Sequence, residues 1–140
     1  MTIAHLNTNG LLDKLNEIQI LLYETNFDIL AVTETHLTND ISDFEINVTG
    51  YNLVRKDREQ GHCGWGGTLL YYRTNLQAFE NKTFESFGLE IVLLEVLVKS
   101  QKIIVASLYH PPRDYQSFLA SFDEFIKPLW LKRNNIVILG

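Results

Sequence analysis

The sequence predicts a layered α/β (α+β) domain in which helices pack outside sheets, and three observations carry that prediction. Compact apolar runs rich in β-branched residues, FDILAVT at residues 27–33 and LEIVLLEVLV at residues 89–98, read as buried strands. Apolar residues at helical spacing form two separate stripes, one through Leu11, Leu15, Ile18 and Leu22, the other through Phe118, Phe122, Phe125, Ile126 and Leu129. Strands and helices are interleaved, but too irregularly for a pure strand-helix-strand repeat.

In chain order, residues 2–6 form a short first strand, broken by the turn-prone run Asn7, Thr8, Asn9, Gly10. A helix follows, with Leu12 and Leu21 widening its apolar stripe while Lys14, Asn16 and Glu17 face out. Residues 27–33 make a buried strand that ends at Glu34. Residues 51–55 are a further strand, residues 56–67 a charged and then glycine-rich loop, and residues 68–72 the strand that pairs back as a hairpin. Residues 89–98 and 102–108, linked by Lys99, Ser100 and Gln101, form two central antiparallel strands. Asp114 is placed to cap the second helix and Pro128 to end or kink it. Residues 136–139 are a last apolar strand, which reads as cut rather than finished at Gly140 and should leave its sheet short, with an unpaired edge and exposed apolar faces.

Composition narrows the class. A chain of 140 residues is one ordinary domain, and 46% hydrophobic with 21% charged residues is a globular balance without an apolar run long enough to span a bilayer. Lys and Arg number 12 against 17 Asp and Glu, so the net charge of −5 repels polyanions, and any nucleic-acid contact must be local or bridged by a metal. Cys63 stands alone, which excludes an internal disulfide, and the start MTIAHLNTNG has neither the basic flank nor the apolar stretch of a signal peptide. Both point to an intracellular, reducing location, where the N-x-T triplets at Asn47 and Asn81 are not glycosylation sites.

Singly, each candidate for chemistry has an ordinary explanation. Glu34 follows a buried strand, where an acid is either simply solvated or a rigidly held hard-oxygen ligand for Mg²⁺. Asn7 and Asn9 suit a turn, yet an amide can also help hold a cation through its oxygen and donate to a phosphate through its NH₂. Tyr109 is a core-edge aromatic with a wet hydroxyl, or a phenolic donor aimed at a phosphoryl or leaving oxygen. His36 is a loop residue or a donor facing substrate, and the lack of a second His or Cys at ligand spacing argues against zinc. Gly64, Gly66 and Gly67 have no following Lys-Ser or Lys-Thr, so they mark a tight turn with Trp65 packed nearby rather than a phosphate loop. No Gly-x-Ser-x-Gly elbow supports acyl-transfer hydrolysis.

Order gives these pieces a joint meaning. LNTNGLLDKLNEI at residues 6–18, DILAVTETHLT at 28–38, GWGGTLLYY at 64–72, SLYHPP at 107–112 and NNIVILG at 134–140 together cover essentially the whole chain. In that order they resemble the apurinic-endonuclease-like domain of non-LTR retrotransposons of the jockey and LINE type, within the deoxyribonuclease I-like endonuclease/exonuclease/phosphatase superfamily. The resemblance implies a four-layer α/β/β/α sandwich with mixed, largely antiparallel sheets, of which this chain is the N-terminal portion. It implies Glu34 as metal ligand, Asn7 as the amide supporting metal and phosphate, Asn9 at the neighbouring polar position and Tyr109 on phosphate. His36 and His110 fall on the substrate side, His110 standing where many relatives carry Arg.

The activity implied is Mg²⁺- or Mn²⁺-dependent nicking of target DNA, leaving a 3′ hydroxyl that primes reverse transcription, with a reverse-transcriptase domain in the same longer polyprotein and a nuclear location. In the family the last strand runs into Gly-Asp-x-Asn, and a later Ser-Asp-His segment follows; of these only Gly140 is present, so little or no nicking is expected of this chain alone. The rival readings are a phosphatase of the same superfamily and a non-catalytic remnant or binding domain.

Overall fold

The computed structural model describes residues 1–58, 65–83, 88–110, 115–131 and 135–140. Cys63, Gly64, the proline pair at 111 and 112, the expected cap Asp114, and Asn134 lie outside the described residues.

Two four-stranded sheets stack face to face. The first holds β1 (Ile3–Asn7), β2 (Ile29–Thr33), β3 (Tyr51–Lys56) and β4 (Thr68–Arg73) in the order β1-β2-β4-β3. The second holds β5 (Ala78–Glu80), β6 (Glu90–Val98), β7 (Gln101–Tyr109) and β8 (Asn135–Leu139) in that order. Only β1 with β2 and β7 with β8 run parallel; the other pairs are antiparallel. Helix α1 (Leu15–Thr25) covers the outer face of the first sheet and α2 (Tyr115–Leu131) that of the second, giving the four layers α/β/β/α.

The uniform hydrophobicity of the strands follows from this stacking. In β2, Ile29 and Ala31 point between the sheets while Leu30 and Val32 point at α1. In β6, Val92, Leu94 and Val96 point between the sheets while Ile91 and Leu93 meet Phe125 and Leu129 of α2. Successive side chains alternate faces, so a strand covered on both faces must be apolar at every position. A buried polar tie crosses the central layer: the hydroxyls of Thr68 and Ser107 hydrogen-bond, and the Thr68 hydroxyl also reaches the Val32 carbonyl at 3.3 Å.

Several expectations are corrected. A single 3₁₀ turn over Leu12–Lys14 precedes α1 and shifts the apolar stripe, leaving Leu12 exposed while Leu11 is fully buried. Pro128 does not end α2, which continues to Leu131. A proline there lacks the N–H that would reach the Glu124 carbonyl, and Leu129, packed in the core, holds the helix against the sheet at that point. The β6–β7 link is the two-residue turn Lys99-Ser100, both at positive φ (46° and 67°), with Gln101 already in β7. The short strand β5 was not expected. Among the described residues the edge strands are β1, β3, β5 and β8, with Leu6 of β1 and Ile138 of β8 each 36% exposed. No helix is long and apolar enough to cross a membrane among the described residues.

Candidate active site

Two parallel pairings set the C-terminal ends of β1 and β2, and of β7 and β8, side by side, with Asn7 opposite Thr33 and Ser107 opposite Leu139. At these ends lies an open cleft of about 540 Å³. Its polar wall carries His5, Asn7, Thr33, Glu34, Tyr109 and His110. Its apolar floor is built from Leu108, Phe118, Phe122, Ile138 and Leu139, and Gly140 sits against the Leu108 carbonyl so closely that a side chain there would overlap it. Four of the six residues singled out in the sequence, Asn7, Glu34, Tyr109 and His110, thus come to one cleft from three separate segments.

Glu34 is held by its backbone. Residues 34–36 leave β2 between two clamps: the Glu34 carbonyl accepts the N–H of Gly10 (2.8 Å) and the Thr8 hydroxyl (3.1 Å), and the Thr35 carbonyl accepts the N–H of Leu11 (2.9 Å). From the other side, the N–H groups of Thr35 and His36 donate to the carbonyls of Gly67 (3.4 Å) and Gly66 (2.9 Å). Glu34 and His36 each have φ of 54°, a left-handed conformation costing a non-glycine residue about 1–2 kcal/mol, and the paired clamps maintain it.

Asn7 accepts the N–H of Asn9 at 3.1 Å through its side-chain oxygen, so the turn chemistry read from the sequence is present. An amide oxygen has two lone pairs, and that bond does not exhaust the group. Burial pushes the Tyr109 phenol above its ordinary value, and the charges of Glu34 and Glu90 push it further against the opposing pull of Arg58, so it is a neutral donor at physiological pH. The His110 ring packs on Phe118 at 4.1 Å, and its buried Nε2 has no hydrogen-bond partner among the described residues.

Asn9 and His36 are not in the cleft lining. Asn9 is an exposed turn residue at φ 45°, and His36 stacks on Trp65, ring centroids 6.0 Å apart. Trp65, beside the glycine turn, is 66% exposed.

The sequence reading missed His5 and Thr33, whose Nε2 and hydroxyl lie 3.0 Å apart on the cleft wall. His5 was within reach, because a period of two puts it on the same face of β1 as Asn7. It also missed Glu90 and Arg58, an ion pair at 2.9 Å beside Tyr109.

The donor set suits a hard cation. Among the described residues Glu34 is the one carboxylate in the lining and Asn7 the neighbouring amide, and Mg²⁺ takes one or two protein carboxylates and keeps its remaining positions for water and phosphate. Among the described residues no group of three or more His, Cys, Asp and Glu gathers at metal distance.

The fold recurs in solved structures. It matches the AP endonuclease LMAP from Leishmania major (22% identity, TM-score 0.72, 90% of this chain and 47% of that one). It also matches the 3′ phosphatase NExo from Neisseria bound to a product DNA hairpin (20%, 0.67, 100% and 56%). The endonuclease domain of TRAS1, a telomere-specific non-LTR retrotransposon, aligns as well (14%, 0.65, 96% and 55%). The chain spans about half the length of these structures. No curated protein matches it. At such identities the likeness establishes the fold, and assignment rests on the sequence profile of one family, which runs from residue 4 to residue 140 and takes in every element that builds the cleft: the chain belongs to the endonuclease/exonuclease/phosphatase family.

Proposed function

We propose that this chain carries the cation-binding, phosphate-polarising side of a Mg²⁺-dependent phosphodiesterase, a DNA endonuclease that nicks target DNA for a non-LTR retrotransposon. The observation that carries the reading is the convergence of Asn7, Glu34 and Tyr109 on one cleft at the ends of β1, β2 and β7. Glu34 and Asn7 would hold the divalent cation, whose charge would polarise a scissile phosphate. The Tyr109 phenol, kept protonated, donates to a phosphoryl or leaving oxygen as negative charge develops there. Beneath it, the floor of Leu108, Phe118 and Phe122 lowers the local dielectric and strengthens both interactions. His110, in the cleft lining, and His36, stacked on Trp65, take the substrate-binding role, and Asn9, in the turn after Asn7, the second catalytic polar position.

The retrotransposon branch is supported by the strings ETHL and YHPP and by the likeness to the TRAS1 endonuclease domain. In that role the chain works in the nucleus beside a reverse transcriptase in a longer polyprotein. Phosphatase action is the second reading, favoured by the shared fold with the Neisseria 3′ phosphatase.

Among the described residues Glu34 is the only acid in the lining, and with it committed to the cation none of them offers a second carboxylate to activate water, a function worth about 10²–10⁴-fold. The 140-residue chain is therefore expected to nick supercoiled plasmid weakly or not at all with Mg²⁺, against an EDTA control. Robust Mg²⁺-dependent nicking abolished by Glu34→Ala would overturn that incompleteness. Mn²⁺ titration followed by paramagnetic resonance tests the cation site itself: saturable binding lost in Glu34→Ala supports it, and binding unchanged in that variant refutes it.

A further inference from the structure

Glu90 opens β6 and Tyr109 closes β7, and the ladder sets them directly opposite each other. Both oxygens of the Glu90 carboxylate are engaged. One accepts the N–H of Gly67 at 2.9 Å, and the other meets Nε of Arg58 at 2.9 Å. Arg58 in turn donates through Nη1 to the Trp65 carbonyl at 2.8 Å. A side chain of the second sheet therefore grips, directly and through Arg58, the stretch that leads into β4 of the first.

That stretch is the outer clamp on residues 34–36. The carbonyls of Gly66 and Gly67 receive the N–H groups of His36 and Thr35, immediately after Glu34. Both glycines have positive φ, 109° and 84°. There is no slack between the layers: a Cβ on Gly66 would lie 2.7 Å from the Glu90 carboxylate and 3.1 Å from the Tyr109 ring, and one on Gly67 would press on the Thr35 hydroxyl. The Glu90 and Arg58 side chains are only 16% and 22% exposed, so the pair is largely shielded from the solvent that makes surface ion pairs weak.

We infer that Glu90 is a positioning residue for the candidate site: through Gly66 and Gly67 it fixes where the backbone presents Glu34, and across the ladder it fixes the Tyr109 ring. It touches neither cation nor substrate and acts through groups that do. The inference rests on the reading of Glu34 as a cation ligand, and the supporting groups behind a metal ligand alter affinity by about 10–100-fold when removed.

The test compares the parent chain with Glu90→Ala, Glu90→Gln and Glu34→Ala by Mn²⁺ titration, and follows the backbone amide signals of Glu34 and His36 and the ring signal of Tyr109 by NMR. Glu90→Ala is expected to weaken Mn²⁺ binding about ten-fold and to move all three signals. Glu90→Gln, which keeps an acceptor for the Gly67 N–H, is expected to lose less. A merely stabilising ion pair would lower the melting temperature while leaving affinity and these signals unchanged, and that result overturns the inference. If the parent binds no Mn²⁺, or Glu34→Ala binds it equally well, the cation reading fails instead, and the Glu34 and His36 signals alone decide whether Glu90 positions the segment. Should Glu90→Ala not fold, Glu90→Gln together with Arg58→Ala supplies the same comparison, and unmoved signals in both overturn the inference.

Discussion

Glycine 67 shows how tightly single residues are specified around the cleft. It combines φ of 84° with a Cβ direction blocked by the Thr35 hydroxyl. Gly67→Ala is expected to cost about 2 kcal/mol or more, read as a lowered midpoint in urea with an unchanged slope; an unchanged midpoint would show that the strap relaxes freely. The positive φ of Glu34 and His36 was not legible in the sequence, since neither residue type signals it and only the clamps from Gly10, Leu11, Gly66 and Gly67 impose it. Glu90 was hidden by one position of register. A three-residue link at 99–101 sets it opposite His110, whereas the observed two-residue turn sets it opposite Tyr109. The positions of Asn7, Glu34 and Tyr109 were legible because all three lie at or just past strand ends that the apolar runs marked clearly.

At the scale of elements, what the sequence revealed depended on burial. Strands β2, β6 and β7 were plain because both faces are covered, while β5, three residues with Phe79 and Glu80 exposed, carries no such pattern. The start of α1 misled because a 3₁₀ turn has three residues per turn rather than 3.6, which rotates Leu12 out of the stripe. Two substitutions separate these cases: Leu12→Ser is expected to change stability by less than about 0.5 kcal/mol, and Leu22→Ala, at 1% exposure, to cost about 2–5 kcal/mol. Chemical denaturation of both decides it, and equal losses would refute the assignment of the inner face. The β6–β7 turn uses Lys99 and Ser100 where left-handed angles favour Asn and Gly, so Lys99→Asn with Ser100→Gly is expected to raise the melting temperature. A fall would mean that the turn is not as described.

For the molecule as a whole, the phenols make the fold sensitive to alkali. Burial raises Tyr71, whose hydroxyl donates to the Ile46 carbonyl at 2.6 Å, and also raises Tyr51, Tyr72 and Tyr109. A phenol whose folded value lies above its unfolded value of 10 contributes stability that is fully present below that pH and is lost as pH rises through the folded value. Stability measured by urea melts is therefore expected to be flat toward neutrality and to fall above about pH 10, less steeply in Tyr71→Phe; an equal slope in that variant would assign the loss elsewhere. The cleft has an assembly order written into it as well. Its walls come from the ends of β1, β2 and β7, but Ile138, Leu139 and Gly140 close one side only when β8 docks beside β7. During synthesis the ribosome thus releases the candidate ligands well before this wall exists, and a nascent chain cannot close that side of the cleft until β8 has left the exit tunnel.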